Sequence, residues 1–230
     1  MKVTVKIFGY TKEQLFLITK NIIGGKEIDC EICENYLDAA LTLTNINVEE
    51  KLFNSITSDI LSEVKDNLYA DSDVTLGQMA IEYLTYCHKK LAVAESLTGG
   101  LIGNALIEIS GASEVLYEDL ITYSNESKIK RLGVSRYTLD SQGAVSYECA
   151  YEMAAGLLKT LEVDLAIATT GIAGPTGGSD IKPVGLTYIC IADRHDSKVY
   201  NHCFTGDRNS IRMQAANTAL FYIINKLKNR

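Results

Sequence analysis

Ser96 stands where a nucleophile could work: it follows the short apolar run LAVAE (91–95) and precedes Thr98, Gly99 and Gly100. A hydroxyl just past a buried strand, at a glycine-flanked helix start, opens into a pocket; the plain alternative is a helix N-cap. A serine needs a base to become nucleophilic. His88, His195 and His202 have no motif context, so a lysine of depressed pKa is the natural substitute, as in serine–lysine hydrolases. The segment ITYSNESKIKR (121–131) supplies Tyr123 and Lys128 just past another strand, with an ordinary surface lysine as the alternative. Ser62 and Lys65 also form an SxxK, but on the solvated face of an amphipathic helix.

A second concentration of chemistry is glycine. Gly171, Gly174, Gly177, Gly178 and Gly185 follow the apolar run VDLAIATT (163–170), together with both prolines, Pro175 and Pro183. Loops of this kind, beyond the carboxyl ends of strands, are where α/β folds bind ligands, and their N–H groups suit an anion. The common fingerprints are nevertheless absent. Thr176 stands at the sixth position from Gly171, where a Walker A loop needs glycine followed by lysine; Gly171 is followed by Ile-Ala-Gly rather than the Rossmann spacing. Ala94 and Thr98 replace the glycines of a GxSxG elbow.

These groups must be carried by elements that the hydropathy pattern outlines. Residues 1–70 read as a small α+β unit: a strand through Val3, Val5 and Ile7, and a helix opened by Thr11 and Gln14 and closed near Gly24–Gly25. Strands near 27–33 and 38–44 follow. A long helix opens at Asn47-x-x-Glu50 with Leu52, Ile56, Ile60 and Val64 on one stripe, and Tyr69–Asp73 is a polar link. Residues 74–230 read as α/β with a mixed sheet. One helix is expected to open at Thr75-x-x-Gln78 with Met79, Tyr83 and Leu84 on its apolar face, and others at about 98–110, 146–161 and 207–228, the last with Ile211, Ala215, Ala219, Tyr222 and Ile223 inward. Strands are expected at 91–95, 116–124, 163–170, 185–193 and 198–206.

The 230 residues carry 22 basic and 29 acidic side chains, a net charge of −7, which argues against a broad nucleic-acid face. No apolar stretch of about 18 residues is present, so no transmembrane helix is expected, and the alternating MKVTVKIFGY start lacks a signal-peptide block. A cytoplasmic protein follows as the expectation, with its six cysteines reduced. Cys30 and Cys33 form a CxxC without a second pair, on a strand that points them to opposite faces, so no metal site is assigned.

LAVAESLTGGLIG (91–103), ITYSNESKIKRLGV (121–134), GAVS (143–146), TGIAGPTGGSDIKPVGLTY (170–188) and FTGDRNSIRMQA (204–215) together resemble the C-terminal domain of the CinA competence/damage-inducible family. The resemblance is collinear over about residues 75–228; residues 1–70 resemble, more loosely, the KH-like domain that precedes it in long CinA proteins. It implies a three-layer, mixed-sheet amidase domain over 74–230 behind a small α+β KH-like domain. The implied activity is that of a nicotinamide-nucleotide amidohydrolase, which converts nicotinamide mononucleotide (NMN) to nicotinate mononucleotide and ammonia without metal or organic cofactor. A homodimer is implied as well. Leu97 departs from the cysteine, and Ala112 from the serine, that many relatives carry.

By that resemblance Ser96 is the nucleophile, Lys128 and Tyr123 are catalytic, and Ser113 and Thr170 line the pocket. Read physically, Lys128 takes the serine proton directly or through Tyr123, and backbone N–H groups near Gly99–Gly100 or Gly171 hold the oxyanion. The loop Gly171, Ile172, Ala173, Gly174, Gly177 and Gly178 takes the phosphate, with Lys182, Arg208 or Arg212 as charge partner, and Thr98 and Asn125 complete the substrate contacts. Two other classes stay open: a nucleotide sensor that does not hydrolyse its ligand, and a KH-like nucleic-acid module. Against the latter, residues 1–70 carry 7 basic and 11 acidic residues, a net of −4, and no GxxG loop.

Overall fold

Thr11 and Gly24 bracket the first helix as the sequence predicts: Thr11 forms a reciprocal capping box with Gln14, and Gly24 ends the helix in the left-handed region. The computed structural model describes residues 1–228, which divide into two units, Met1–Thr75 and Leu76 onward.

In the first unit β1 (Lys2–Phe8), β2 (Ile28–Asn35), β3 (Asp38–Asn45) and β4 (Leu68–Ala70) form an antiparallel sheet in the order β2-β3-β1-β4. Helices α1 (Lys12–Ile23) and α2 (Glu50–Val64) bury Leu15, Ile23, Phe53, Ile56, Ile60 and Val64 against Val5, Ile7, Leu41 and Leu43. Three expectations are corrected here. Helix α2 starts at Glu50 without a side-chain cap, because the turn before it is held by Asn45, whose Oδ1 accepts the Val48 N–H at 2.9 Å. Leu52 is 41% exposed, and Phe53 takes its place in the core. Tyr69 is no link residue: it lies in β4, buried, its hydroxyl donating to Asp38 Oδ1 at 2.7 Å while Lys6 pairs with the same oxygen at 3.2 Å. Cys30 shares the Ile28 and Ile32 side of β2 and Cys33 faces the other way, as the alternation predicts.

The second unit opens with α3 (Leu76–Tyr86) and is built on a five-stranded mixed sheet of order β6-β5-β7-β8-β9. The strands are β5 (Leu91–Glu95), β6 (Leu116–Ile121), β7 (Leu165–Gly171), β8 (Leu186–Asp193) and β9 (Ser197–Cys203). Strands β6, β5 and β7 run parallel; β8 and β9 continue antiparallel. Helices α4 (Leu101–Ile107) and α8 (Arg208–Lys228) belong to one layer with α3; α5 (Asn125–Leu132), α6 (Arg136–Ser141) and α7 (Tyr147–Thr160) belong to the other. The alternation within the strands assigns the faces. Ala92, Ala94, Ala166, Ala168, Cys190 and Ala192 form the surface under Ala150, Met153 and Leu157 of α7, and these small side chains let that helix come close. The intervening Leu91, Val93, Ile167, Ile189 and Ile191 are buried on the opposite face.

Helix α7 also meets the end of α5 at a glycine. A Cβ added to Gly156 lies 2.0 Å from the Leu132 carbonyl oxygen. Gly156→Ala is therefore expected to destabilise the protein by about 1–3 kcal/mol through overpacking, against an intrinsic helix gain of about 1 kcal/mol. A urea midpoint at or above wild type would contradict this.

Candidate active site

The carboxyl ends of the three parallel strands meet at one sheet edge, and each delivers one part of the site. β5 is flanked on one side by β6, which follows it in sequence, and on the other by β7, so the loops leaving β5 and its neighbours diverge to opposite layers and leave a crevice. The backbone remains zipped just beyond the strands: the Ser96 N–H donates to Thr169 O at 3.1 Å and the Thr122 N–H to Glu95 O at 2.8 Å. Ser96 from β5 and Lys128 from the first turns of α5 are thereby brought together across 32 residues of sequence, with Lys128 Nζ 3.0 Å from Ser96 Oγ.

Strand β6 ends at Ile121, three residues earlier than the alternation predicts, and this shortening makes the lysine site. The released carbonyls of Thr122 and Tyr123 turn to Lys128 Nζ at 2.8 and 3.2 Å, and Ser124 caps α5 by accepting the Ser127 N–H. Lys128 is 1% exposed and Ser96 8%. Burial pushes the Lys128 ammonium below its ordinary pKa, and no carboxylate pairs with it among the described residues. The three partners also define what a neutral amine does there. A neutral amine has two hydrogens and one lone pair; the two carbonyls can only accept, so the lone pair faces Ser96 Oγ, the one partner able to donate.

A cavity of about 190 Å³ opens at this pair, lined by Ser96, Leu97, Tyr123, Lys128, Ala144, Val145, Thr170, Gly171, Ala173 and Arg208. Its lining holds no acidic side chain. Tyr123 stands at the mouth, 66% exposed, its hydroxyl accepting from Arg208 Nη2 at 3.3 Å. Arg208 Nη1 also donates to Gly174 O at 2.8 Å. The Tyr123 hydroxyl is thus a neighbour of Arg208, and the lysine reaches the serine directly. Thr170 donates to Ala144 O at 2.7 Å and so ties β7 to the segment before α7.

Not every expected residue reaches the cavity. Ser113 lies in the short turn Ala112–Glu114 ahead of β6, in a separate depression with Ile107, Ile109 and Leu116. Leu116 pairs with Leu91 at the amino ends of the strands, so the length of β6 separates Ser113 from Ser96. Asn125 begins α5 on its exposed side. Lys182 donates to the carbonyls of Gln142 and Val145, the latter at 2.7 Å, and pins its loop to the one before α7. Gly177, Gly178 and Ile172 do not line the cavity; Ile172 continues the β8 ladder by donating to Leu186 O. The Gly100 N–H is taken by Glu95 Oε2 at 2.9 Å, so it is not available to an oxyanion. Arg212 donates from Nε to Leu97 O (2.9 Å) and from Nη2 to Thr98 O (2.8 Å).

Three features of the site lie outside the residues that the sequence motifs single out. Glu95, fully buried, accepts the N–H groups of Gly100, Ile102 and Gly103. Asp119, beside it on β6, has its carboxyl pushed up to about 8 by burial and by the Glu95 carboxylate. Ala144 and Val145 line the cavity although only the motif around them was visible. A glutamate at the end of an apolar strand was the available signal for the first; small apolar lining residues such as Ala144 and Val145 leave none.

The sequence profile of the CinA C-terminal domain matches residues 73–227. The chain belongs to the CinA family. Curated CinA relatives align over most of it: a CinA-like protein of Syntrophomonas wolfei is 39% identical over 98% of this chain, and a putative competence-damage inducible protein of Caldicellulosiruptor saccharolyticus 44% identical over 92%. Each alignment covers 56% of the relative, so the chain spans little more than half the length of these CinA proteins. Among solved structures, a CinA superfamily protein of Klebsiella pneumoniae matches with a TM-score of 0.65 at 32% identity, covering 67% of this chain and 97% of its own. A competence/damage inducible protein of Agrobacterium tumefaciens matches with a TM-score of 0.62 at 37% identity, covering 68% of this chain and 99% of its own.

Proposed function

We propose that this CinA-family chain is a nicotinamide-nucleotide amidohydrolase, hydrolysing the carboxamide of NMN to nicotinate mononucleotide and ammonia. The observation that carries the reading is the buried, carboxylate-free Lys128 with its Nζ on Ser96 Oγ. Ser96 Oγ attacks the amide carbon and its proton passes to the Lys128 lone pair; the pyridinium cation of the bound substrate further disfavours a charged lysine. Lys128 returns that proton to the departing nitrogen, ammonia leaves, and an ester remains on Ser96. Water, deprotonated by the same lysine, then releases the carboxylate product.

Arg208 is the guanidinium in the cavity lining and is the partner proposed for the substrate phosphate. Arg208→Ala is expected to raise KM for NMN about 10–100-fold with a smaller change in kcat, because a charge-assisted pair to a non-reacting group is lost. An unchanged KM would place the phosphate elsewhere. The reading as a whole is tested by ammonia release from NMN by the purified protein. Binding of NMN without release would favour the nucleotide-sensor reading. These proposals concern the second unit; the KH-like assignment of residues 1–70 and a homodimeric assembly are carried forward as proposals from the family resemblance.

A further inference from the structure

The turn that carries Ser96 is gripped from both ends by opposite charges. On one side, Glu95 receives three backbone N–H groups at 2.9–3.0 Å: Gly100 on Oε2, Ile102 and Gly103 on Oε1. On the other, the Arg212 fork receives the carbonyls of Leu97 and Thr98. Between them lie Gly99 and Gly100 at φ +60° and +95°, spanned by one long backbone bond from the Leu101 N–H to Thr98 O at 3.4 Å. Under the turn, the buried hydroxyls of Thr98 and Thr169 meet at 2.7 Å and attach it to β7.

Peptide planarity gives this grip a consequence. In a trans peptide the C=O and the following N–H point in opposite directions. With the carbonyls of residues 97 and 98 drawn to Arg212, the N–H groups of Thr98 and Gly99 are turned the other way. Neither has an acceptor among the described residues, nor does the Leu97 N–H. A run of open N–H groups directly after a nucleophile is what developing negative charge on a substrate oxygen requires.

We infer that Glu95 and Arg212 are positioning residues that together set the Ser96 turn, Glu95 through its N–H groups and Arg212 through its carbonyls, and that Arg212 is not a ligand of the substrate. The inference rests on the amidase reading for its kinetic consequence but not for the existence of the grip. Arg212 sits one helical turn beyond Arg208 on α8, so the two arginines divide the work: Arg208 faces the cavity and Arg212 holds the backbone.

The experiment compares wild type with Glu95→Gln, Arg212→Ala and Arg212→Lys, first by backbone hydrogen–deuterium exchange and then by NMN turnover. Exchange over residues 97–103 is expected to rise about tenfold in Glu95→Gln and Arg212→Ala while β7 stays protected, which separates a loosened turn from a failed fold. Each of these two variants is expected to lower kcat about 100-fold with KM within about threefold of wild type, and Arg212→Lys, which can still reach one carbonyl, to recover part of that loss. Raised KM at unchanged kcat in Arg212→Ala, with exchange unchanged, would make Arg212 a substrate ligand and overturn its part. Wild-type kcat and exchange in Glu95→Gln would overturn the other. If wild-type protein releases no ammonia, the amidase reading fails by itself, and the exchange measurement still decides whether the turn is held by these side chains.

Discussion

On the amidase reading, Ser96→Ala is expected to end ammonia release from NMN, with kcat reduced about 10⁴-fold or more, while the fold stays intact. The size follows from the role: removing the nucleophile removes the covalent route, and what remains is the stabilisation that binding and open N–H groups give to direct attack by water. The fold survives because the side chain makes no structural bond that the backbone does not replace. The Ser96 N–H to Thr169 O bond belongs to the main chain, and Lys128 keeps the carbonyls of Thr122 and Tyr123 when Oγ is gone. Alanine fits where the hydroxymethyl group was. The check is single-turnover ammonia release alongside a thermal melt and an NMN binding titration. Activity within tenfold of wild type would remove Ser96 from the nucleophile role; lost activity with lost NMN binding and an unchanged melt would mean that Ser96 binds rather than attacks.

The types of the groups at the candidate site were legible in the sequence, and their meeting was legible only as far as strand order could be guessed. Ser96 and Lys128 each follow an apolar run, and α/β folds gather such positions at one edge. That they touch depends on β5 and β6 being parallel neighbours with Glu95 opposite Ile121, and on β6 stopping before Thr122 so that two carbonyls turn inward. The same rule explains Ser113: it precedes its strand instead of following it, and so falls at the wrong end of the sheet. Charge was the weaker guide. Lys182, Arg208 and Arg212 were interchangeable as cations, yet all three donate to backbone carbonyls and only Arg208 also lines the cavity. Composition cannot separate these uses, because backbone acceptors carry no sequence signature. In the first unit the capping box at Thr11 was read correctly because both partners are local side chains. The start of α2 was missed because Asn45 holds the turn from the preceding strand.

Lys128 should leave its mark on pH dependence as well as on rate. Lys128→Ala is expected to lose about 10²–10⁴-fold in kcat, the usual worth of a positioned general base, and added methylamine should restore part of it by entering the space vacated. In wild type, kcat/KM should rise with pH along a limb whose midpoint lies below the ordinary lysine value of 10.5, since only the neutral amine can take the serine proton. Lys128→Met should lack that limb. Stability follows the same titration with a definite sign. Burial lowers the lysine pKa in the folded protein, so between that lowered value and 10.5 the unfolded chain binds the proton that the native chain has lost. Below this window both states are protonated and the cost of a buried ammonium is felt in full. The stability of wild type relative to Lys128→Met should therefore be flat at lower pH and rise through the window, with a slope of at most about 1.4 kcal/mol per pH unit. Urea unfolding of both proteins across the alkaline range measures this directly. A difference that falls with rising pH would mean the folded protein binds the lysine proton more tightly than the unfolded chain, and a lysine so stabilised in its charged form could not be the base for Ser96.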